Sequence, residues 1–313
     1  MSICLEAEEI MSQYIGSVIK KIRTNKGLTQ KELASGLCSI KQINRIENNF
    51  STPNSYLLYE ISNRLGHELL DFIPYTSDEN AYDLKTKIDD LMLLFNQHEH
   101  KSILNNIYKS QILQNTENTR ARQEISWLLG AMSNYIDIGE SVIVDEQYYM
   151  NILKLKHNFT ILDDIFQFHL TPIEFKIINS YIVILLNNHC YDRAEKLLLK
   201  SIENFESNNL NNSDISYVRF LYNLSRLYYN QKRFYDAIEL SSKGINHCHH
   251  NSNISYLADL YNIYGRAKYN IGDQDTGKQA IKNYISLRRI IKPPLDYEPV
   301  ITELEKKYHL SEE

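Results

Sequence analysis

Two neighbouring stretches of this chain can be laid over each other. SYVRFLYNLSRLYYNQKRFYDAIELSSKGI begins at Ser216 and SYLADLYNIYGRAKYNIGDQDTGKQAIKNYI at Ser255. Both open with Ser-Tyr, carry Leu-Tyr-Asn at the same offset (Leu221 to Asn223, Leu260 to Asn262) and reach an Ala-Ile pair further on. A weaker copy, FKIINSYIVILLNNHCYDRAEKLLLKSI, starts at Phe175, and Ala194, Ala237 and Ala280 then fall 43 residues apart. On that spacing the last copy carries four extra residues at its IGDQDTG turn. Such a period holds a helix, a turn, a second helix and a connection. One unit cannot bury its own apolar face, so the units must stack. Only ten glycines and six prolines in 313 residues leave the helices few breakers.

An all-α chain is therefore expected, with about five degenerate tetratricopeptide-like repeats forming a superhelix. Asp83 to Leu113 and Arg120 to about Asp164 supply two less regular units, with Trp127 in the core. Tyr297 to Tyr308 reads as a capping helix over the last repeat. The expected domains are 1–75, a linker at 76–88 marked by Pro74 and the polar TSDEN stretch, and a repeat array over 89–313.

The first 75 residues read differently. Ile15, Val18, Ile19 and Ile22 share one helical face between about Gln13 and Lys26, and Gly27 offers a stop. Thr29 with Glu32 forms a capping box for a second helix carrying Leu33, Ala34 and Leu37. Ser39 caps a third helix with Gln42 in the box position, Ile43 and Ile46 pointing inward. Pro53 is placed to open a fourth helix with Leu57, Leu58, Ile61 and Leu65. Glu68 to Phe72 follows as a further short turn.

The net charge of −5 argues against nucleic acid until its distribution is considered. Between Ser12 and Arg64 there are eight Lys or Arg against the three acids Glu32, Glu47 and Glu60, a local +5. A basic head on an acidic body suits a phosphate-contacting domain fused to something else. No stretch is apolar enough to cross a bilayer and the start is not a secretory signal, so a cytoplasmic protein without a membrane partner is expected. The four cysteines form no ligand cluster, and His247, His249 and His250 beside Cys248 fall in a polar connection expected as a surface loop. There is no glycine-rich phosphate loop, no HExxH and no nucleophile elbow. No enzyme, metal or cofactor is expected.

Three short helices packed this closely allow the third to enter a DNA major groove. Gln30, exposed at the opening of the second helix, is a phosphate or base-edge candidate. Ser39, Ile40, Lys41, Gln42 and Asn44 form the reading surface: lysine for guanine or phosphate, the amides for adenine, Ile40 for a thymine methyl. The plainer reading leaves Ser39 as a cap and Lys41 as a solvated lysine.

The stretch IGSVIKKIRTNKGLTQKELASGLCSIKQINRIENNFSTPNSYLLYEISNRLG resembles helix-turn-helix domains of phage-repressor type, through its GLTQKELA run and RIEN ending. That resemblance implies a structural pair between Arg23 and Glu47, and a backbone contact supported by Arg45.

In the repeats, Asn179 with Ser180, then Asn223, then Asn262 sit mid-helix among apolar and aromatic neighbours. Such amides match a peptide backbone read in regular steps, or else bond one repeat to the next. Tyr222, Tyr229 and Tyr261 are candidate pocket floors, and Arg219 or Arg226 would meet a peptide carboxylate. The whole arrangement resembles the peptide-responsive, quorum-sensing transcription regulators of Gram-positive bacteria of PlcR, PrgX and Rgg type, and PlcR most nearly. The resemblance implies a homodimer, a short linear signalling peptide as effector and a two-fold operator in double-stranded DNA. It places the peptide-contacting asparagine at Asn223, with Ser180 as its counterpart one repeat earlier. The linker from Pro74 to Lys87 would carry the peptide's effect to the head. The alternative is a constitutive helix-turn-helix repressor whose repeats recruit a protein partner.

Overall fold

A computed structural model describes residues 14–133, 135–136, 143–207, 215–251, 254–291 and 298–310, and every regular element among them is helical. The chain packs as two compact units, one of residues 1–144 with 151–156, the other of 145–150 with 157–313.

The first unit opens with α1 (Ile15–Asn25), α2 (Gln30–Ala34), α3 (Ile40–Glu47) and α4 (Ser55–Leu65), followed by a 3-10 turn over Leu69–Tyr75. The apolar stripes expected from the sequence converge: Ile19, Ile22, Leu33, Ile43, Ile46, Ile61 and Leu65 are all fully buried. The caps are local and complete. Thr29 Oγ1 accepts from the Glu32 amide at 3.2 Å while a Glu32 carboxylate oxygen accepts from the Thr29 amide at 2.7 Å. Ser39 Oγ accepts from the Gln42 amide at 3.1 Å. Helix α4 is capped by Asn54, which accepts from the Leu57 amide at 2.8 Å, so Pro53 precedes the cap instead of opening the helix.

The unit continues through α5 (Ala81–Asn96), α6 (His100–Lys109), α7 (Gln111–Asn115) and α8 (Thr119–Met132). Residues 81–88, expected as the end of a linker, form the first two turns of α5. Ala81, Leu84 and Ile88 recur on one helical face and are buried, so the segment folds as part of the array. Trp127 is core, as expected.

After α9 (Glu146–Lys154), the second unit stacks three hairpins, α10 (Pro172–Asn187) with α11 (Tyr191–Ser207), α12 (Ile215–Asn230) with α13 (Phe234–His250), and α14 (Leu257–Asn270) with α15 (Gln274–Ile291). Each first helix ends in asparagine, Asn187, Asn230 or Asn270, and each turn has three residues. The middle residue of each turn is left-handed: His189 at φ 59°, Lys232 at 62° and Gly272 at 96°. The turn after α5 repeats the pattern, with Asn96 and then His98 at φ 62°.

These turns correct the repeat register. The IGDQDTG turn is no longer than the others, because its DTG residues already belong to α15. The fourth residue of each second helix is Ala194, Ala237 and then Gly277, not Ala280. Gly277 is the small residue at the crossing. A Cβ there would stand 2.8 Å from the Gly265 carbonyl oxygen, and one on Gly265 would stand 2.8 Å from the Gly277 carbonyl oxygen. The capping helix α16 (Glu298–Lys307) lays Ile301 and Leu304 onto Ile281, Tyr284 and Ile285. The expected start of that cap, Tyr297, falls outside the described residues. His247, Cys248, His249 and His250 are the last turn of α13 and not a loop.

Candidate nucleic-acid interface and repeat cleft

Helix α3 is divided cleanly. Ile43, Ile46 and Glu47 face inward, while Ser39, Ile40, Lys41, Gln42, Asn44 and Arg45 are all exposed. Ile40 keeps 47% of its surface in solvent, an unusual position for a branched apolar side chain on a polar face.

The inner residue Glu47 sets the orientation of this face. Arg23 Nε donates to one Glu47 oxygen at 2.6 Å, Arg23 Nη2 to the other at 3.0 Å, and Arg23 Nη1 to the Leu28 carbonyl at 2.6 Å. The hydrogen bonds it donates to Glu47 hold the Arg23 guanidinium protonated still more firmly than usual. Gln30 Nε2 also donates to Glu47 Oε2, at 2.7 Å, so one buried carboxylate joins α1, α2 and α3. Gln30 is thus half-buried and committed to Glu47, not exposed for a DNA contact as the sequence suggested.

Two further ties were missed in the sequence. Asn49, left-handed at φ 58°, accepts from the Ser17 amide at 3.2 Å and donates to Ser17 Oγ at 2.8 Å, so the end of α3 caps the start of α1. Arg64 donates to the carbonyls of Leu33 and Ser35 and closes α2 while the residue itself stays exposed. Both join residues about thirty positions apart, and no local pattern signals them.

In the second unit a cleft of about 460 Å³ lies between the ends of α10 and α12. It is lined by Leu186, Asn187, His189, Tyr191, Asn223, Arg226, Leu227 and Asn230, with no carboxylate among them. Arg226 is exposed, and Tyr222, whose hydroxyl is pushed up by burial, hydrogen-bonds to it. Asn223 reaches this cleft, but its Nδ2 donates to Asn179 Oδ1 at 2.8 Å and both residues are buried. The inter-repeat reading therefore describes Asn179.

The other candidates lie elsewhere. Ser180 Oγ bonds the Lys176 carbonyl at 3.1 Å and reaches the Tyr149 hydroxyl. Arg219 Nε donates to the Tyr256 hydroxyl at 3.0 Å, and the Tyr261 hydroxyl meets His249 Nε2 at 3.2 Å. Asn262 has its Oδ1 buried without a hydrogen-bond partner among the described residues. The turn-based register explains this scatter: Asn223 corresponds to Ser180 and Ile263, so Asn262 is not its structural equivalent. The column that does repeat is Asn187, Asn230 and Asn270, two of which line the cleft.

Among the described residues no group of three or more His, Cys, Asp or Glu is placed to hold a metal ion, and no helix is long and apolar enough to cross a membrane.

Residues 19–72 match the family model described as "Helix-turn-helix". No curated protein matches the chain by sequence. Bacillus thuringiensis PlcR in complex with the peptide PapR7 and DNA has a similar structure, at 19% identity and a TM-score of 0.67, over 95% of this chain and 99% of that one. The apo form of PlcR gives 18% identity and 0.53, over 94% and 99%. The SHP pheromone receptor Rgg2 of Streptococcus dysgalactiae gives 14% and 0.52, over 95% and 100%. Residues 19–72 are accordingly a helix-turn-helix domain, and the chain as a whole shares the all-helical fold of PlcR and Rgg2.

Proposed function

We propose that this protein is a cytoplasmic, homodimeric transcription regulator that reads a two-fold DNA operator with α3 and answers to a short linear peptide in its repeats. The observation that carries the reading is the exposed face of α3, held at a defined angle by the buried Arg23–Glu47–Gln30 cluster. A solvated helix face needs no such fixing, whereas a face that must meet base edges in register does. Ser39, Ile40, Gln42 and Asn44 meet bases, and Lys41 and Arg45 meet phosphate or guanine. That PlcR has been described with both a peptide and DNA on a similar fold supports the combination.

The head is tested by selecting bound DNA sequences and titrating the selected site at several salt concentrations. Lys41→Ala is expected to weaken binding across sequences and to reduce the salt slope by about one, the signature of one lost phosphate contact. Gln42→Ala is expected to cost about 1–3 kcal/mol at one base pair only, relaxing selection there. A protein that selects no sequence and binds with no salt dependence removes the reading.

For the repeats the stronger probe is Arg226, exposed in a cleft without acids. Its partner is a peptide carboxylate, and Asn187 and Asn230 are placed to bond backbone groups nearby. Arg226→Ala is expected to weaken a cognate peptide by about 10- to 100-fold, the range for one lost charged hydrogen bond. Isothermal titration with secreted peptides encoded beside the gene reads this directly. Asn223→Ala should also weaken the peptide, with a cost in stability because Asn179 loses its buried partner. Undiminished peptide affinity in Arg226→Ala excludes the cleft.

A further inference from the structure

A flexible tether between head and repeats is not what the first unit contains. The last turn of the head, Leu69–Tyr75, is bonded to α8 by buried side chains. The Tyr75 hydroxyl donates to Glu124 Oε2 at 2.5 Å, and Arg120 Nε donates to Glu124 Oε1 at 2.8 Å. Tyr75 and Glu124 are 3% and 5% exposed, so this pairing is shielded from water. Burial together with the neighbouring carboxylate pushes the Tyr75 hydroxyl far above the usual phenol range, which keeps it a donor.

Asn118 makes a second tie. Its Oδ1 caps α8 by accepting from the Ala121 amide at 2.9 Å. Its Nδ2 donates to the Pro74 carbonyl at 3.0 Å and to Ser77 Oγ at 2.8 Å. The same turn reaches back to the start of α1, where the Tyr14 amide donates to the Thr76 carbonyl at 3.1 Å. Phe72 stacks on Tyr82 of α5 at 5.8 Å, and Asn25 at the end of α1 donates to the Tyr82 hydroxyl at 3.3 Å.

We infer that Tyr75, Asn118 and Glu124 are positioning residues that carry the α3 face as a rigid extension of α5–α8, so that this junction sets which half-site spacing the dimer accepts. The inference rests on the proposed DNA-reading role. Two heads held rigidly one helical turn apart gain more affinity at a matching site, and lose more at a mismatched one, than loosely tethered heads do, because a loose head spends most of its time away from its half-site.

The test uses the full chain with spin labels on unnatural amino acids at Thr52 in the head and Lys109 in α6, both exposed. Without DNA, and with labelled chains diluted into unlabelled protein so that only the distance within one chain is read, one narrow distance is expected for the unsubstituted protein. Tyr75→Phe, which keeps the packed ring, and Asn118→Ala are expected to broaden it. On DNA, moving one half-site by about half a helical turn should cost the unsubstituted protein at least ~10-fold in affinity, and Tyr75→Phe less than ~3-fold. A broad distance in the unsubstituted protein, or narrow distances in both Tyr75→Phe and Asn118→Ala, overturns the inference. So does a narrow distance combined with equal affinity at both spacings. Absence of any DNA binding alongside a narrow distance instead sinks the proposed function, since the distances are read without DNA. Thermal melting of each variant separates loosening of the junction from unfolding.

Discussion

Replacing Arg23 with alanine is expected to destabilise the head by about 3–5 kcal/mol and abolish operator binding, because it strands a buried carboxylate. Glu47 is 2% exposed and accepts three hydrogen bonds, two from Arg23 and one from Gln30. Removing Arg23 leaves one neutral amide to solvate that charge, and water cannot replace the guanidinium without opening the contact between α1 and α3. Hydrogen exchange of the α1–α3 amides is the suitable measurement, since a chain of two compact units need not unfold in one step. Lys20→Ala, at an exposed site on the same helix, should stay within about 0.5 kcal/mol of the parent. The double replacement Arg23→Met with Glu47→Leu separates pairing from packing. It should regain much of the lost stability, because apolar residues of similar volume often replace a buried ion pair at little cost. A single Arg23→Ala with protection unchanged would show that the pair contributes nothing to the head.

Gly16→Ala should come close in effect, for a steric reason. Gly16 sits in the first turn of α1 where that helix crosses the end of α3. A Cβ there would stand 1.7 Å from the Ile46 carbonyl oxygen. The obstacle is backbone, so no rotamer change relieves it, and the two helices must separate. Overpacking of this kind costs about 1–3 kcal/mol and occasionally more; the upper end is expected here. The same displacement breaks the Asn49–Ser17 bonds and rotates the reading face, so DNA affinity should fall further than stability alone accounts for. Gly36→Ala provides the contrast. Gly36 has φ +72° and open space around its Cβ position, so only left-handed strain of about 1–2 kcal/mol is expected. Equal losses from the two substitutions, read as shifts in melting temperature, would rule out the close crossing.

How much of this was visible in the residues depends on the range over which each pattern acts. Thr29 with Glu32, and Ser39 with Gln42, are three positions apart, so cap and helix start could be read together. The stripe of Ile15, Ile19 and Ile22 and the opposed faces of α3 follow from a 3.6-residue period, and they survive in the fold. The repeats were visible as repeats, but their register was not. Ala194 and Ala237 are in register, but the Leu-Tyr-Asn match and the further match to Ala280 were coincidental. The turns decide: an asparagine closing the first helix, then three residues with the middle one left-handed, at Asn96, Asn187, Asn230 and Asn270. Histidine and lysine stand at three of those left-handed positions, so the glycine that normally marks such a turn is missing from all but the last.

Local chemistry was enough to dictate that the chain is helical, where α2 and α3 begin, and which side of α3 is polar. Each of those outcomes is decided by residues within one or two helical turns of each other. The assignment of Gln30 to Glu47, of Arg64 to the end of α2, of Asn223 to Asn179, and of Tyr75 to Glu124 belongs to the tertiary structure alone. A polar side chain has the same capacity for hydrogen bonding wherever it sits, and only folding determines which partner, tens of residues away, reaches it before solvent or a ligand does.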